Sequence, residues 1–94
     1  PKSRIKSLEL SNNNFTGTLP TFHFSIHTLL LQNNNFIGEP TNLSTLTHLY
    51  ELDISNNALN GTLKISQHSI TRLSNLNISN NQLTGFVVTQ GALR

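Results

Sequence analysis

Apolar residues return along this chain in a fixed cadence. A leucine or isoleucine is followed three positions later by a second and two beyond that by a third, and then come an Asn-Asn pair and a glycine. Leu10-Ser-Asn-Asn-Asn-Phe-Thr-Gly17 recurs as Leu31-Gln-Asn-Asn-Asn-Phe-Ile-Gly38, Ile54-Ser-Asn-Asn-Ala-Leu-Asn-Gly61 and Ile78-Ser-Asn-Asn-Gln-Leu-Thr-Gly85. From residue 10 to 31, 31 to 54 and 54 to 78 the steps are 21, 23 and 24 residues. Alternation at the second and third apolar positions is the period of a short strand with one buried face, and the polar pair and glycine bend the chain away from it. A period of this length means a solenoid, one repeat to a coil.

One coil cannot bury its own apolar edge, so four must stack. The pattern predicts parallel strands near 7–11, 28–32, 51–55 and 75–79. It aims Ile5, Leu8, Leu10, Ile26, Leu29, Leu31, Leu49, Leu52, Ile54, Leu73, Leu76 and Ile78 into one core. Asn13, Asn34, Asn57 and Asn81 fall at the ninth position of each repeat, where a polar group pointing inward needs partners. An amide both donates and accepts. Stacked in register, each can bond the backbone of its own turn and of the neighbouring coil, forming a structural ladder; the plainer reading makes them turn residues alone. Gly17, Gly38, Gly61 and Gly85 mark places of positive φ or close backbone approach.

The pattern L-x-x-L-x-L-x-x-N-x-L-x-G resembles the leucine-rich repeats, and in particular the plant-type extracellular class of receptor-like kinases, receptor-like proteins and polygalacturonase-inhibiting proteins. That consensus continues x-I-P and then x-x-L-x-x-L. Thr18-Leu19-Pro20 matches the first step, and Pro40-Thr-Asn-Leu43-Ser-Thr-Leu46-Thr-His-Leu49 matches the return segment. Glu39-Pro40 is one residue short, whereas Gly61-Thr-Leu-Lys64 and Gly85-Phe-Val-Val88 lack the proline, so the pattern leaves the second short strand of each coil open. Phe22 and Phe24 stand where two spaced leucines are expected. The resemblance implies an α/β-type, mostly β, right-handed superhelix of four coils. It would carry a short parallel sheet on the concave face and irregular or 3-10 convex segments.

Residues 1–94 read as a single repeat segment, with repeats starting near 5, 26, 49 and 73. The chain opens Pro1-Lys2-Ser3-Arg4 and closes Gln90-Gly-Ala-Leu-Arg94, and neither end looks like a cap. A slice of a longer capped array is expected, with flanking repeats or another copy covering the ends. There is no cysteine to form a disulfide framework or a thiolate metal site. The net charge is +2, but Lys2, Arg4, Lys6, Lys64, Arg72 and Arg94 are scattered, a poor nucleic-acid footprint. No apolar run is long enough for direct membrane insertion.

The register also defines the strand face, where proteins of the resembled class usually bind ligands. It offers Lys6, Ser7, Glu9, Ser11 and Asn12; His27, Thr28, Leu30, Gln32 and Asn33; Tyr50, Glu51, Asp53, Ser55 and Asn56; and Ser74, Asn75, Asn77, Ser79 and Asn80. Three of the four acids, Glu9, Glu51 and Asp53, fall there, so this face is acidic on a basic chain. Glu9, Leu30, Tyr50, Glu51, Asp53, Asn75 and Asn77 are the candidate ligand-binding residues, an apolar and aromatic anchor beside polar readers. His23 and His27 are four apart, but no H-E-x-x-H accompanies them and His27 falls at a strand, so no metal site and no cofactor are expected. No G-x-S-x-G turn or Gly-rich phosphate loop suggests catalysis.

Sequons place possible N-glycosylation at Asn14, Asn42 and Asn60; a fourth, Asn77, is expected bare because a glycan there would obstruct the strand face. With fourteen Asn and twenty-one Ser plus Thr, about three sequons would arise by composition alone, so their number is not itself evidence. The function expected from the resemblance is a non-catalytic, extracellular or cell-surface module of a receptor or inhibitor, binding a protein, peptide or glycan. The alternative is a structural segment of a larger or self-stacking extracellular assembly.

Overall fold

The computed structural model describes residues 6–22, 24–40 and 42–89. Ile5 and His23 lie outside them. Four three-residue strands, β1 (Ser7–Glu9), β3 (Thr28–Leu30), β5 (Glu51–Asp53) and β7 (Asn75–Asn77), form one parallel sheet in that order. Each coil pairs like with like, so Leu8, Leu29, Leu52 and Leu76 share one row across the sheet. Regular strand ends two residues earlier than the pattern predicts, although the backbone bonding runs on. Leu10 N–H donates to Leu30 O (2.8 Å) and Asn12 N–H to Gln32 O (3.0 Å), and the same two steps recur in the next coils.

Asn12, Asn33, Asn56 and Asn80, counted above with the strand face, instead turn the chain. Their φ values are 60°, 62°, 57° and 57°. This left-handed conformation costs a non-glycine residue least when it is Asn, whose short amide bonds locally. The coil therefore bends at the same repeat position each time.

After the bend comes a second parallel sheet: β2 (Thr16–Gly17), β4 (Asn35–Gly38), β6 (Ala58–Ser66) and β8 (Gln82–Thr89). The second strand that the sequence left open is longest in the two coils that lack proline. Proline has no N–H to give a ladder. Pro20 and Pro40 follow shortly after β2 and β4, of two and four residues, while β6 and β8 run for nine and eight. Strand thus replaces the irregular or 3-10 path expected there. One turn of α-helix, α1 (Gln67–Ile70), follows β6, capped by Ser66, whose Oγ accepts from Ser69 N–H at 3.0 Å. The fully buried Ser69 hydroxyl donates to Leu46 O, tying this helix to the return segment of the preceding coil.

Gly17, Gly38 and Gly61 have positive φ, and Gly85 does not. Gly61 pairs with Leu83 but Thr62 with Gly85, so Thr84 is bulged out of β8 and its hydroxyl donates to Gly61 O at 3.3 Å. The extra residue shifts Gly85 opposite Thr62, where a Cβ would lie 3.1 Å from Thr62 Oγ1. Its glycine answers to close approach rather than to φ.

The core has three walls. Leu29 and Leu52 come from the first sheet, with Leu31 and Ile54 just beyond its strands; Phe36, Leu59, Leu63 and Ile65 from the second; and Leu19, Ile26, Leu43, Leu46 and Leu49 from the return segments. Of the pair Phe22 and Phe24, Phe22 packs partly against this core, while Phe24 is exposed and lies against His48. The outer coils are less covered: Leu8, Leu10, Leu73 and Ile78 are half-buried, and Leu76 is 36% exposed against 0% for Leu52.

Candidate functional site

The ladder residues stand behind the strand face and hold its turns. Asn34 Nδ2 donates to Leu10 O (2.9 Å) in the preceding coil and Leu31 O (3.1 Å) in its own, while Phe15 N–H donates to Asn34 Oδ1 (3.2 Å). Asn57 repeats this with Leu31 O (3.0 Å), Ile54 O (3.1 Å) and Phe36 N–H (3.1 Å). Asn81 does so with Ile54 O (2.9 Å), Ile78 O (3.4 Å) and Leu59 N–H (3.0 Å). Asn13 bonds within its own turn, to Leu10 O and Ser11 O.

In front of this frame, register decides which side chains meet. Glu9, Leu30, Asp53 and Asn77 form one row across the sheet; Ser7, Thr28, Glu51 and Asn75 form the parallel row beside it. Adjacent parallel strands are about 4.8 Å apart, so each row is a line of touching side chains. Leu30 is therefore flanked by two carboxylates. Glu51 Oε2 accepts from Asn75 Nδ2 (3.3 Å), and Glu9 Oε2 accepts from Ser7 Oγ (3.3 Å).

Two of the candidate residues already have local work. Asp53 Oδ1 accepts from both Ser55 N–H (3.0 Å) and Ser55 Oγ (2.7 Å), and Asn77 Oδ1 accepts from Ser79 N–H (3.1 Å) and Oγ (2.8 Å). Each is thereby locked in one orientation, presenting its remaining oxygen or amide nitrogen. Thr28 is buried within the face.

At the entry to the strands, Lys6, His27, Tyr50 and Ser74 occupy one repeat position. The carbonyl of each of the first three receives two N–H groups from the next coil, as with Tyr50 and Glu51 N–H on His27 O (2.9 and 3.1 Å). This holds the His27 and Tyr50 rings stacked at 5.0 Å and 10°. The separation is close to the strand spacing itself, and the pair forms only when the two coils stack. Their shared repeat position was the available signal.

Asn14, Asn42, Asn60 and Asn77 are all exposed. Asn42 Oδ1 accepts from Ser44 N–H at 2.9 Å. Among the described residues no three His, Asp or Glu side chains gather as metal ligands, and no helix is long and apolar enough to cross a membrane.

The Leucine Rich Repeat family profile matches residues 4–24, 48–68 and 72–90, the first, third and fourth coils. This chain belongs to that family. The leucine-rich repeat coil between them carries the shortened Gly38-Glu39-Pro40 step. Receptor-like protein 7 of Arabidopsis thaliana is 42% identical over 64 residues, covering 67% of this chain and 7% of that protein. The leucine-rich repeat ectodomain of the receptor kinase SOBIR1, also from Arabidopsis thaliana, superposes with a TM-score of 0.63 at 27% identity, over 84% of this chain and 59% of that one. The chain is thus a leucine-rich repeat solenoid of the plant extracellular class, and it spans a small part of the curated relative it matches.

Proposed function

We propose that this chain is a non-catalytic recognition segment of a plant cell-surface protein, facing the extracellular side and part of a longer repeat array. The observation that carries the reading is the row Glu9, Leu30, Asp53, Asn77 beside Glu51, Asn75 and Tyr50. An apolar centre and an aromatic ring sit on a stiff sheet among carboxylates and amides of fixed orientation, a composition suited to anchoring plus polar readout. The names of its relatives, a receptor-like protein and a receptor-kinase ectodomain, support the setting. The occupant is a protein or peptide that presents Lys or Arg to the carboxylates, and added salt weakens that part of the binding.

The test compares basic, neutral and acidic peptide panels on the parent chain, on a Tyr50→Ala, Asp53→Ala double variant and on a Lys64→Ala, Arg72→Ala variant away from the strand face. Preference for basic peptides, lost in the first variant and kept in the second, supports the site. Acidic preference, or loss in the second variant alone, refutes it. Capture of neutral glycans instead of peptides would reassign the ligand class.

A further inference from the structure

A hollow of about 250 Å³ opens at the entry edge of the first sheet, lined by Lys6, Phe24, Ser25, His27 and His48. Residues from two successive coils meet there, and every ionisable group among these lining residues is basic. Lys6 forms no ion pair among the described residues. His27 Nδ1 lies 3.2 Å from Thr28 Oγ1, and His48 Nδ1 lies 3.5 Å from Thr47 Oγ1, so each ring has its Nδ1 engaged and its Nε2 without a hydrogen bond among the described residues. Tyr50 backs the His27 ring at 5.0 Å, and Phe24 lies against His48 at 6.5 Å. The imidazoles are therefore held in a braced aromatic frame, and in the imidazolium form Nε2 of each is a donor.

The acids of the same sheet are held by other partners. Glu9 accepts from Ser7, Glu51 accepts from Asn75 on the next coil, and Asp53 is fastened to Ser55. Charge on this face is consequently divided, with carboxylates along the strand centres and an ammonium and two imidazoles around the hollow at the strand starts.

We propose that this hollow is a binding site for a carboxylate group carried on a small apolar or aromatic body. Charge-assisted bonds from Lys6 Nζ and the two Nε2 atoms would hold the carboxylate, and the Phe24 ring supplies an apolar wall. The volume lies just below the usual range of ligand sites, enough for a benzoate-sized group or one acidic side chain and too small for a nucleotide. Free small acids and acidic side chains of a polypeptide share this chemistry. The inference adds a subsite of opposite charge to the strand face, and the measurement below does not depend on whether that face binds peptides.

The whole chain is titrated by NMR with benzoate, with neutral benzamide, and with an acetylated, amidated peptide containing a single Glu. Mildly acidic, low-salt buffer favours imidazolium and limits screening. The imidazole signals of His27 and His48 are followed, with exposed His68 as the internal control. Saturable shifts of His27 and His48 with benzoate, absent with benzamide and absent at His68, are the expected result. The Glu peptide shifting the same signals more tightly assigns the site to a polypeptide ligand; benzoate alone assigns it to a free acid. Lys6→Gln and His48→Gln, both at exposed side chains, each weaken binding about tenfold while the rest of the spectrum is unchanged. Equal response to benzamide, no saturation, or undiminished binding by both variants overturns the proposal.

Discussion

Replacing Asn57 by Ala removes a side chain that serves two coils at once. Its Nδ2 donates to Leu31 O, Ile54 O and Ser55 O at 3.0–3.1 Å, and its Oδ1 accepts from Phe36 N–H. The losses are unequal. Leu31 O keeps Asn34 as a donor, Ile54 O keeps Asn81, and Ser55 O keeps Asn33 N–H, so each carbonyl retains one bond. Phe36 N–H loses its acceptor at a residue only 6% exposed. Damage concentrates on that donor, and leaving one buried polar group unsatisfied costs about 1–3 kcal/mol. A loss of about 2 kcal/mol would lower Tm by roughly 10 °C in a chain of this size.

Urea unfolding followed by circular dichroism is the assay, with Asn35→Ala as control because Asn35 is exposed. Asn57→Asp sharpens it. The carboxylate keeps the acceptor for Phe36 but sets oxygens against three carbonyls, so it should destabilise at least as much as Ala. Asn13→Ala, lacking a bond to any preceding coil, should cost less than Asn57→Ala. If Asn57→Ala melts with Asn35→Ala, or Asn57→Asp matches the parent, the ladder does not stabilise this solenoid as argued.

Two further outcomes are expected. Gly61→Ala should destabilise by about 1–2 kcal/mol in chemical denaturation, since φ is +75° and the new Cβ would stand 2.9 Å from Glu39 Cγ. It should also disturb the bond from Thr62 N–H to Glu39 Oε2, whereas Gly85→Ala, free of the positive φ, should cost less; the reverse order would show that φ is not the constraint. Leu52→Ala should cost about 2–5 kcal/mol and Leu76→Ala roughly half as much, because they occupy the same row but differ in burial; equal melts would mean the last coil is as well packed as the third.

Much of the architecture was legible in the residues because pleat alternation is local. Leu29, Leu31, Leu52 and Ile54 face the core for the same reason that Leu30 and Asp53 face away, and a repeat of 21–24 residues returns the chain to the same row. The inward Asn followed from that register too. The bend itself was read less well. Asn12, Asn33, Asn56 and Asn80 belong to the bend and not to the strand face: they share the parity of the inward Leu10, Leu31, Ile54 and Ile78, and φ changes sign there, a turn that apolar alternation does not signal.

What tertiary structure decided is what lies across coils. The length of β6 and β8 depends on whether a neighbouring backbone is there to pair, and the proline gaps became strands because each supplied the other's ladder. The bulge at Thr84, and with it the different role of Gly85, arises from the change of register between β6 and β8, from Gly61 opposite Leu83 to Thr62 opposite Gly85. Lys6, His27 and His48 are distant along the chain and become neighbours only when one coil stacks on the next. From its own repeat each residue learns inside from outside; who stands beside it is set by the offset between coils, which no single repeat contains.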